Sequence, residues 1–256
     1  MMKTNYHTHH YLCKHAEGNV SDYIKEAIEC GFDEIGISDH GPINAEAFPR
    51  MNFKEFECIY LKELEDSICE NAGKIKIYKG LEIEYIENDL DYYKELLTKL
   101  DYLILGCHYY ENKTNLHPYS GYGVTSHEIL NRYTEVIEEA LDTKLFKILA
   151  HPDLFMNGYH HLDSFGEICV KRICDAAIRN DVLLEFNAAG IRCGRTFEDK
   201  PIYPNEEFWK VVEKTNAKVI VNSDCHKPSE LDDWAFQKAK EYVKEFNLNM
   251  VEKLFE

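Results

Sequence analysis

Short runs of β-branched and aromatic residues alternate along the chain with longer stretches whose apolar positions recur at helical spacing. The runs Thr4–His7, Glu34–Asp39, Ile75–Tyr85, Tyr102–His108, Lys147–His151, Val182–Asn187 and Lys218–Asp224 are brief and bounded by polar residues or glycine, which predicts buried strands. Between them, Val20–Cys30 puts Ile24, Ala27 and Ile28 on one face, with Asn19 as cap and Gly31 as stop. Phe53–Ala72 sets Phe53, Phe56, Tyr60, Leu64 and Ile68 on one stripe. Asp91–Leu100, Ser126–Leu141, Phe165–Arg179, Asn205–Thr215 and Asp232–Phe246 complete the helical set.

Strict alternation of strand and helix implies a parallel sheet with right-handed crossovers. About seven such units, with no cofactor-type glycine fingerprint, favour a closed barrel over an open sheet. No linker, repeat or low-complexity stretch divides the chain, so residues 1–256 are expected to form a single α/β domain.

Composition narrows the partners. A net charge of -17 argues against long nucleic acid and anionic membranes, both of which present phosphates. A small phosphorylated molecule remains compatible, because bound divalent cations offset acidity locally. No window reaches the roughly 18 apolar residues of a membrane span, and Met1–His7 lacks a hydrophobic signal core, so the expected location is the cytoplasm. Nine cysteines without a Cys-x-x-Cys pair suit neither a disulfide framework nor a thiolate zinc site. Cys225 is expected simply to fill its strand position. Oligomeric state leaves no trace in the sequence.

The chemistry lies in what ends each strand. The first ends in His7-Thr8-His9, with His15 soon after; the second in Ser38-Asp39-His40. The third carries Glu82, and the fourth ends in Gly106-Cys107-His108. The fifth ends in Ala150-His151-Pro152-Asp153, the sixth carries Glu185 and Asn187, and the seventh ends in Asn222-Ser223-Asp224-Cys225-His226. Strand C-termini of a parallel barrel share one face. Seven histidines, one glutamate and one aspartate therefore gather at a single rim, and these types ligate divalent transition metals. His7 and His9 point to the same side of an extended strand, as do Asp224 and His226. Glu82 has two oxygens with which to bridge two ions. A lone histidine near a strand end is ordinarily structural, and His117, His127, His160 and His161 are read that way; His10 is expected to point away from His9.

In this order, the motifs resemble those of the PHP (polymerase and histidinol phosphatase) family over nearly the whole chain. The resemblance implies a distorted (β/α)7 barrel of TIM-like architecture with two or three ions of zinc, iron or manganese. Carried over by motif, one ion falls to His7, His9, Glu82 and Asp224, a second to Glu82, His108 and His151, and a third to His15, His40 and His226. Glu185-Phe186-Asn187-Ala188-Ala189-Gly190-Ile191-Arg192, followed by Tyr203-Pro204, is similar to a signature of the histidinol phosphatases, which makes Asn187 a substrate-binding candidate. Two stretches depart from that group: Phe155-Met156-Asn157-Gly158 replaces basic residues, and Gly106-Cys107-His108 replaces Ser-Val-His. The loop Tyr109–Thr125 is also atypical.

The implied reaction is hydrolysis of a phosphomonoester, L-histidinol phosphate first, releasing inorganic phosphate. Paired ions lower the pKa of water to about 7 and stabilise attacking and leaving oxygens. Arg192 and Arg195, on the loop after the sixth strand, are candidate phosphate ligands, since a guanidinium matches phosphate geometry. Glu82, Asp224, His226 and Asp153 are the catalytic candidates; Asp153, Asp39 or His226 could protonate the leaving alkoxide, and Asp39 and Asp153 could instead orient histidines. Tyr109, Tyr110, Tyr119 and Tyr122 either wall the pocket or pack an ordinary loop. Rival readings are an amidohydrolase-like enzyme cleaving C–N bonds, a phosphatase of nucleotides or another small metabolite, and a metal-binding module without catalysis. No Gly-x-Ser-x-Gly elbow or phosphate-binding glycine loop supports a serine hydrolase or a nucleotide-binding fold.

Overall fold

A computed structural model describes residues 2–45, 47–111 and 119–256. Eight parallel strands curl around a common axis in the order β1 (Thr4–Asn5), β2 (Glu34–Ile37), β3 (Lys76–Ile83), β4 (Tyr102–Leu105), β5 (Ile148–Leu149), β6 (Leu183–Asn187), β9 (Lys218–Asn222) and β10 (Asn249–Met250). Strands β7 (Thr196–Phe197) and β8 (Lys200–Pro201) form a separate antiparallel hairpin.

Seven strands were expected and an eighth is present. The seam between β9 and β1 explains it. At the upper end the two meet directly, through the Thr8–Cys225 bridge and the bond from His9 N to Cys225 O at 3.0 Å. At the lower end they diverge, and β10 fills the gap. Val251 N donates to Val219 O at 2.8 Å, and Thr4 Oγ1 donates to Glu252 O at 2.5 Å. Two residues without β-branching carry no periodic signal, so this strand is invisible in the pattern. The distorted barrel of TIM-like form stands, with β10 as a wedge.

The helices sit where amphipathic spacing places them and begin at side-chain caps. Asn19 caps Val20–Glu29, Ser126 caps His127–Asp142, Asp163 caps Ser164–Asn180, Asn205 caps Glu206–Glu213 and Asp233 caps Trp234–Glu245. The long stripe from Phe53 breaks into helical Phe53–Glu55, a π turn Phe56–Tyr60 and helical Leu61–Glu70. The wider turn leaves both Phe56 and Tyr60 buried, and Tyr60 Oη lies 2.9 Å from Ile37 O and 2.7 Å from Gly80 O.

Apolar side chains occupy two layers. One lies between sheet and helices. The other fills the barrel with Tyr6, Tyr78, Tyr102, Ile104, Ile148, Ala150, Leu183 and Ile220. Tyr102 crosses the axis and donates from Oη to Tyr6 O at 2.6 Å. A Cβ at Gly36 or Gly80 would overlap the Tyr102 ring, so both glycines are required by its approach. Val251, Leu254 and Phe255 close the lower end, with Phe255 stacked 4.4 Å from Tyr78. The barrel is therefore plugged below, and the histidine-rich strand ends lie above. Among the described residues, no helix is long and apolar enough to cross a membrane.

Candidate metal centre

Apart from β6, which ends at Asn187 as its run suggests, the strands end two to three residues sooner than their apolar runs suggest, because the site residues turn off the ladder. His151 and Asp224 have φ of 31° and 47°, in the left-handed region. Such backbone costs about 1–3 kcal/mol per residue and persists where surroundings over-determine it. Here it tips both side chains over the barrel mouth.

Glu82 is the hub. Its Oε1 lies 3.0 Å from His151 Nε2 and 3.5 Å from His108 Nε2. Its Oε2 lies 2.9 Å from His40 Nδ1, 3.4 Å from His7 Nε2 and 3.5 Å from His9 Nε2. Asp224 Oδ1 adds contacts of 3.0 Å to His9 Nε2 and 3.6 Å to His7 Nε2. The two ring nitrogens His7 Nε2 and His9 Nε2 are themselves 3.0 Å apart.

The three groups predicted from sequence come together as donor sets, with ligand atoms mutually within 4.8 Å: His7, His9 and Asp224; Glu82, His108 and His151; His15, His40 and His226; a fourth set, His9, His40 and Glu82, joins residues that the sequence assigned to different ions. A fifth set, His9, Cys13 and His226, brings in a buried thiol that the sequence did not single out. Isolated buried cysteines look alike in sequence whether or not they face a polar site.

Several of the donor rings are aimed by a partner behind them. His7 Nδ1 meets Glu185 Oε1 at 2.8 Å, and Glu185 is in turn held by Asn187 Nδ2 at 2.7 Å, Asn222 Nδ2 at 2.9 Å and His151 N at 3.1 Å. His9 Nδ1 meets Asp39 Oδ1 at 3.2 Å, while Asp39 Oδ2 takes His10. His10 thus points away from the cluster, as expected. His108 Nδ1 meets Glu84 Oε1 at 3.0 Å, and His15 Nδ1 meets Cys13 O at 2.8 Å. These contacts leave Nε2 of His7, His9, His15 and His108 for the site.

The charges fit a cation. Burial would raise the Glu82 and Asp224 carboxyls, yet surrounding imidazoles hold both well below the usual carboxylate range. Burial and the neighbouring His9 push His40 well down and His226 down to about 4, so both rings keep a free lone pair. Burial opposes protonation of His9, but Asp224 and Asp39 raise it to about 9. His40 Nδ1, Glu82 Oε2 and Asp224 Oδ1 are buried with no hydrogen-bond partner, despite the close approaches above. Polar atoms that converge without satisfying one another are the arrangement of ligand atoms around an ion.

Above the cluster opens a cavity of about 720 Å³, walled by Phe48, Tyr109, Tyr119, Leu154 and Tyr203. Two of the four tyrosines in question, Tyr109 and Tyr119, therefore face it. Tyr122 is exposed and contacts Arg195. His117 lies outside the described residues.

Three sequence expectations need correction. Arg192 lies in the short helix Ala188–Cys193, not a loop, and its guanidinium is engaged by Asp233 at 2.7 Å, by Ser223 O and Oγ, and by Glu230 O. It is absent from the cavity wall, whereas Arg195 lines it. Asn187 donates to Glu185 and, at 2.9 Å, to Asp224 Oδ2, while its Oδ1 caps Ala189 N at 2.8 Å; it orients the cluster, is buried and does not line the cavity. Asp153 Oδ2 accepts from Asn205 N at 2.7 Å and Trp209 Nε1 at 3.0 Å, and burial raises its carboxyl to about 6. It braces the helix Glu206–Glu213 from behind and does not line the cavity. Of Asp39, Asp153 and His226, His226 is the one on the wall. Sequence alone did not separate these, because a side chain's direction off a strand end is set by tertiary contacts.

Comparison with known proteins adds kinship. The PHP domain family matches residues 5–189. A probable histidinol-phosphatase of Deinococcus radiodurans is 25% identical over 237 residues, spanning 88% of this chain and 86% of its own. A probable phosphatase of Shewanella piezotolerans is 23% identical over 239 residues, 93% of this chain and 82% of its own. The histidinol phosphate phosphatase of Lactococcus lactis, solved with zinc, L-histidinol and phosphate, superposes with a TM-score of 0.71 at 18% identity, covering 97% and 95% of the two chains. A histidinol phosphatase structure from Listeria monocytogenes gives 0.70 at 18% identity, covering 91% and 98%.

Proposed function

Since the chain belongs to the PHP domain family, we propose that it is a metal-dependent phosphomonoesterase that converts L-histidinol phosphate to L-histidinol and phosphate. The observation that carries this is the convergence of five imidazoles within 3.5 Å of one buried carboxylate, Glu82, at the floor of an open cavity. The names of the curated relatives and the zinc, L-histidinol and phosphate of the Lactococcus lactis structure support the same reading.

In this reading His7, His9, Glu82 and Asp224 hold one ion, Glu82, His108 and His151 a second, and His15, His40 and His226 a third. Zinc, iron or manganese, when bound, supplies charge to the phosphoryl oxygens and lowers the pKa of an attacking water. The protein's own groups do the positioning. Glu185, Asp39 and Glu84 fix which ring nitrogen of His7, His9 and His108 faces inward. Arg195 at the rim grips a phosphate oxygen. Tyr109, Tyr119, Tyr203 and Phe48 enclose the leaving group and thin the water around it.

A second reading, another small phosphomonoester or a mononucleotide, is favoured by two observations. Phe155, Met156 and Asn157 stand where the resembled enzymes carry basic residues, and Arg192 is engaged away from the cavity. Turnover of a phosphomonoester panel by metal-loaded protein separates the readings. L-Histidinol phosphate as the best substrate supports the first, and a nucleotide or sugar phosphate the second. Full metal content with no turnover of any phosphoester would leave a binding module.

A further inference from the structure

Arg50 touches no donor atom of the cluster and does not line the cavity, yet it is tied to both. Its side chain is 8% exposed, and both terminal nitrogens engage Glu84, one of them Oε1 at 2.8 Å. Glu84, itself buried, receives His108 Nδ1 on that same Oε1. The guanidinium also donates through Nε to Phe48 O and through Nη1 to Gly41 O, each at 3.3 Å, and its carbon sits 4.5 Å above the Phe48 ring. Phe48 in turn packs edge-on against His40 at 4.6 Å and His108 at 4.9 Å.

The three carboxylates behind the donor histidines are held differently. Glu185 is fixed by two asparagine amides and a backbone N–H, and Asp39 by His10 and the His40 N–H. Glu84 is held by a full, permanent cation in a two-pronged grip, which fixes its plane. A carboxylate free to rotate would let the His108 ring turn and withdraw Nε2 from Glu82.

We propose that Arg50 is a positioning residue that sets the ligand face of His108 through Glu84 and, through Phe48, couples occupancy of the Glu82–His108–His151 site to the cavity wall. This rests on the metal-site reading but not on any particular substrate. Loss of such an outer partner costs about 10–100-fold in metal affinity.

The test is metal retention. Wild type, R50M, R50K and E84Q are loaded with zinc, dialysed against a graded chelator series and analysed for zinc per chain, with near-ultraviolet circular dichroism reporting the fold. R50M is expected to release one equivalent at about 10–100-fold lower chelator while the rest are retained. R50K, which keeps charge without the fork, falls between. E84Q, which keeps an acceptor for His108 but loses the charge that Arg50 grips, shifts the same equivalent. Release profiles of R50M and R50K matching wild type, or all equivalents leaving together from a folded protein, would overturn the proposal. If R50M does not fold, R50K and E84Q decide it by the same curves. Absence of zinc from wild type would instead defeat the metal-site reading itself.

Discussion

Replacing Glu82 by glutamine changes one atom and tests the hub most sharply. Glu82 has a relative exposure of 1%, and its oxygens lie 2.9–3.5 Å from Nδ1 of His40 and Nε2 of His7, His9, His108 and His151. One unit of positive charge held about 3.5 Å from a carboxylate, at an effective dielectric of about 20, gains about 5 kcal/mol. If Asp224 and water recover half of that, about 2.5 kcal/mol remains. At 1.4 kcal/mol per decade, E82Q should bind its ions about 10²-fold more weakly. The amide is isosteric, so the barrel should survive, and removing an anion without an ion in place leaves fewer buried charges to satisfy. Zinc content after dialysis against chelator, turnover of a phosphomonoester and a thermal melt form the assay. Loss of metal and turnover with a melt close to the metal-free wild type is the expected outcome. Full metal content and wild-type turnover in E82Q would refute the reasoning, because among the described residues Glu82 is the carboxylate that contacts both the His7–His9 pair and the His108–His151 pair.

Other substitutions separate floor, rim and scaffold. His9→Ala or Asp224→Ala should abolish turnover while circular dichroism stays that of a folded barrel; wild-type turnover with normal metal content in either would overturn the ligand assignment. Arg195→Met should raise KM with little change in melting temperature. Arg192→Met should do the reverse, costing about 1–3 kcal/mol, since it strips a mostly buried ion pair from Asp233, the cap of helix Trp234–Glu245; the two KM values and melts, compared side by side, check the exchange of roles. Gly80→Ala should destabilise by about 1–3 kcal/mol or more through overlap with the Tyr102 ring, measured by denaturant unfolding, and a neutral effect would show that the barrel interior is looser than its packing indicates.

The alternation of runs and stripes was enough to place every strand from β1 to β6 and β9, because burial of a parallel sheet leaves a continuous apolar signature. What it misplaced were strand ends. Lys147–His151 reads as one run, but only Ile148–Leu149 pairs, since Pro152 and the left-handed His151 take the chain off the ladder. The donor residues were legible because their chemistry is rare at strand ends and repeats from strand to strand. Their supports were not: Arg50 lies in a segment without periodicity, and Glu84 falls in the same run, Ile75–Tyr85, as Glu82 and alternates like any polar position. Arg192 and Arg195 lie three residues apart and read alike, yet a helical turn ending at Gly194 sends one to Asp233 and the other to the cavity. Asn187 and Asp153 lie at or just after strand ends as expected but turn away from the cavity, because sequence shows which residues end a strand and contacts decide which way they face.

Diffraction from crystals grown with zinc, recorded on both sides of the zinc absorption edge, reports directly where metal sits. The account predicts anomalous peaks bounded by His7, His9, Glu82, His108, His151 and Asp224, with a further one among His15, His40 and His226. Peaks confined to surface histidines such as His127 or His161, with none at Glu82, would contradict it.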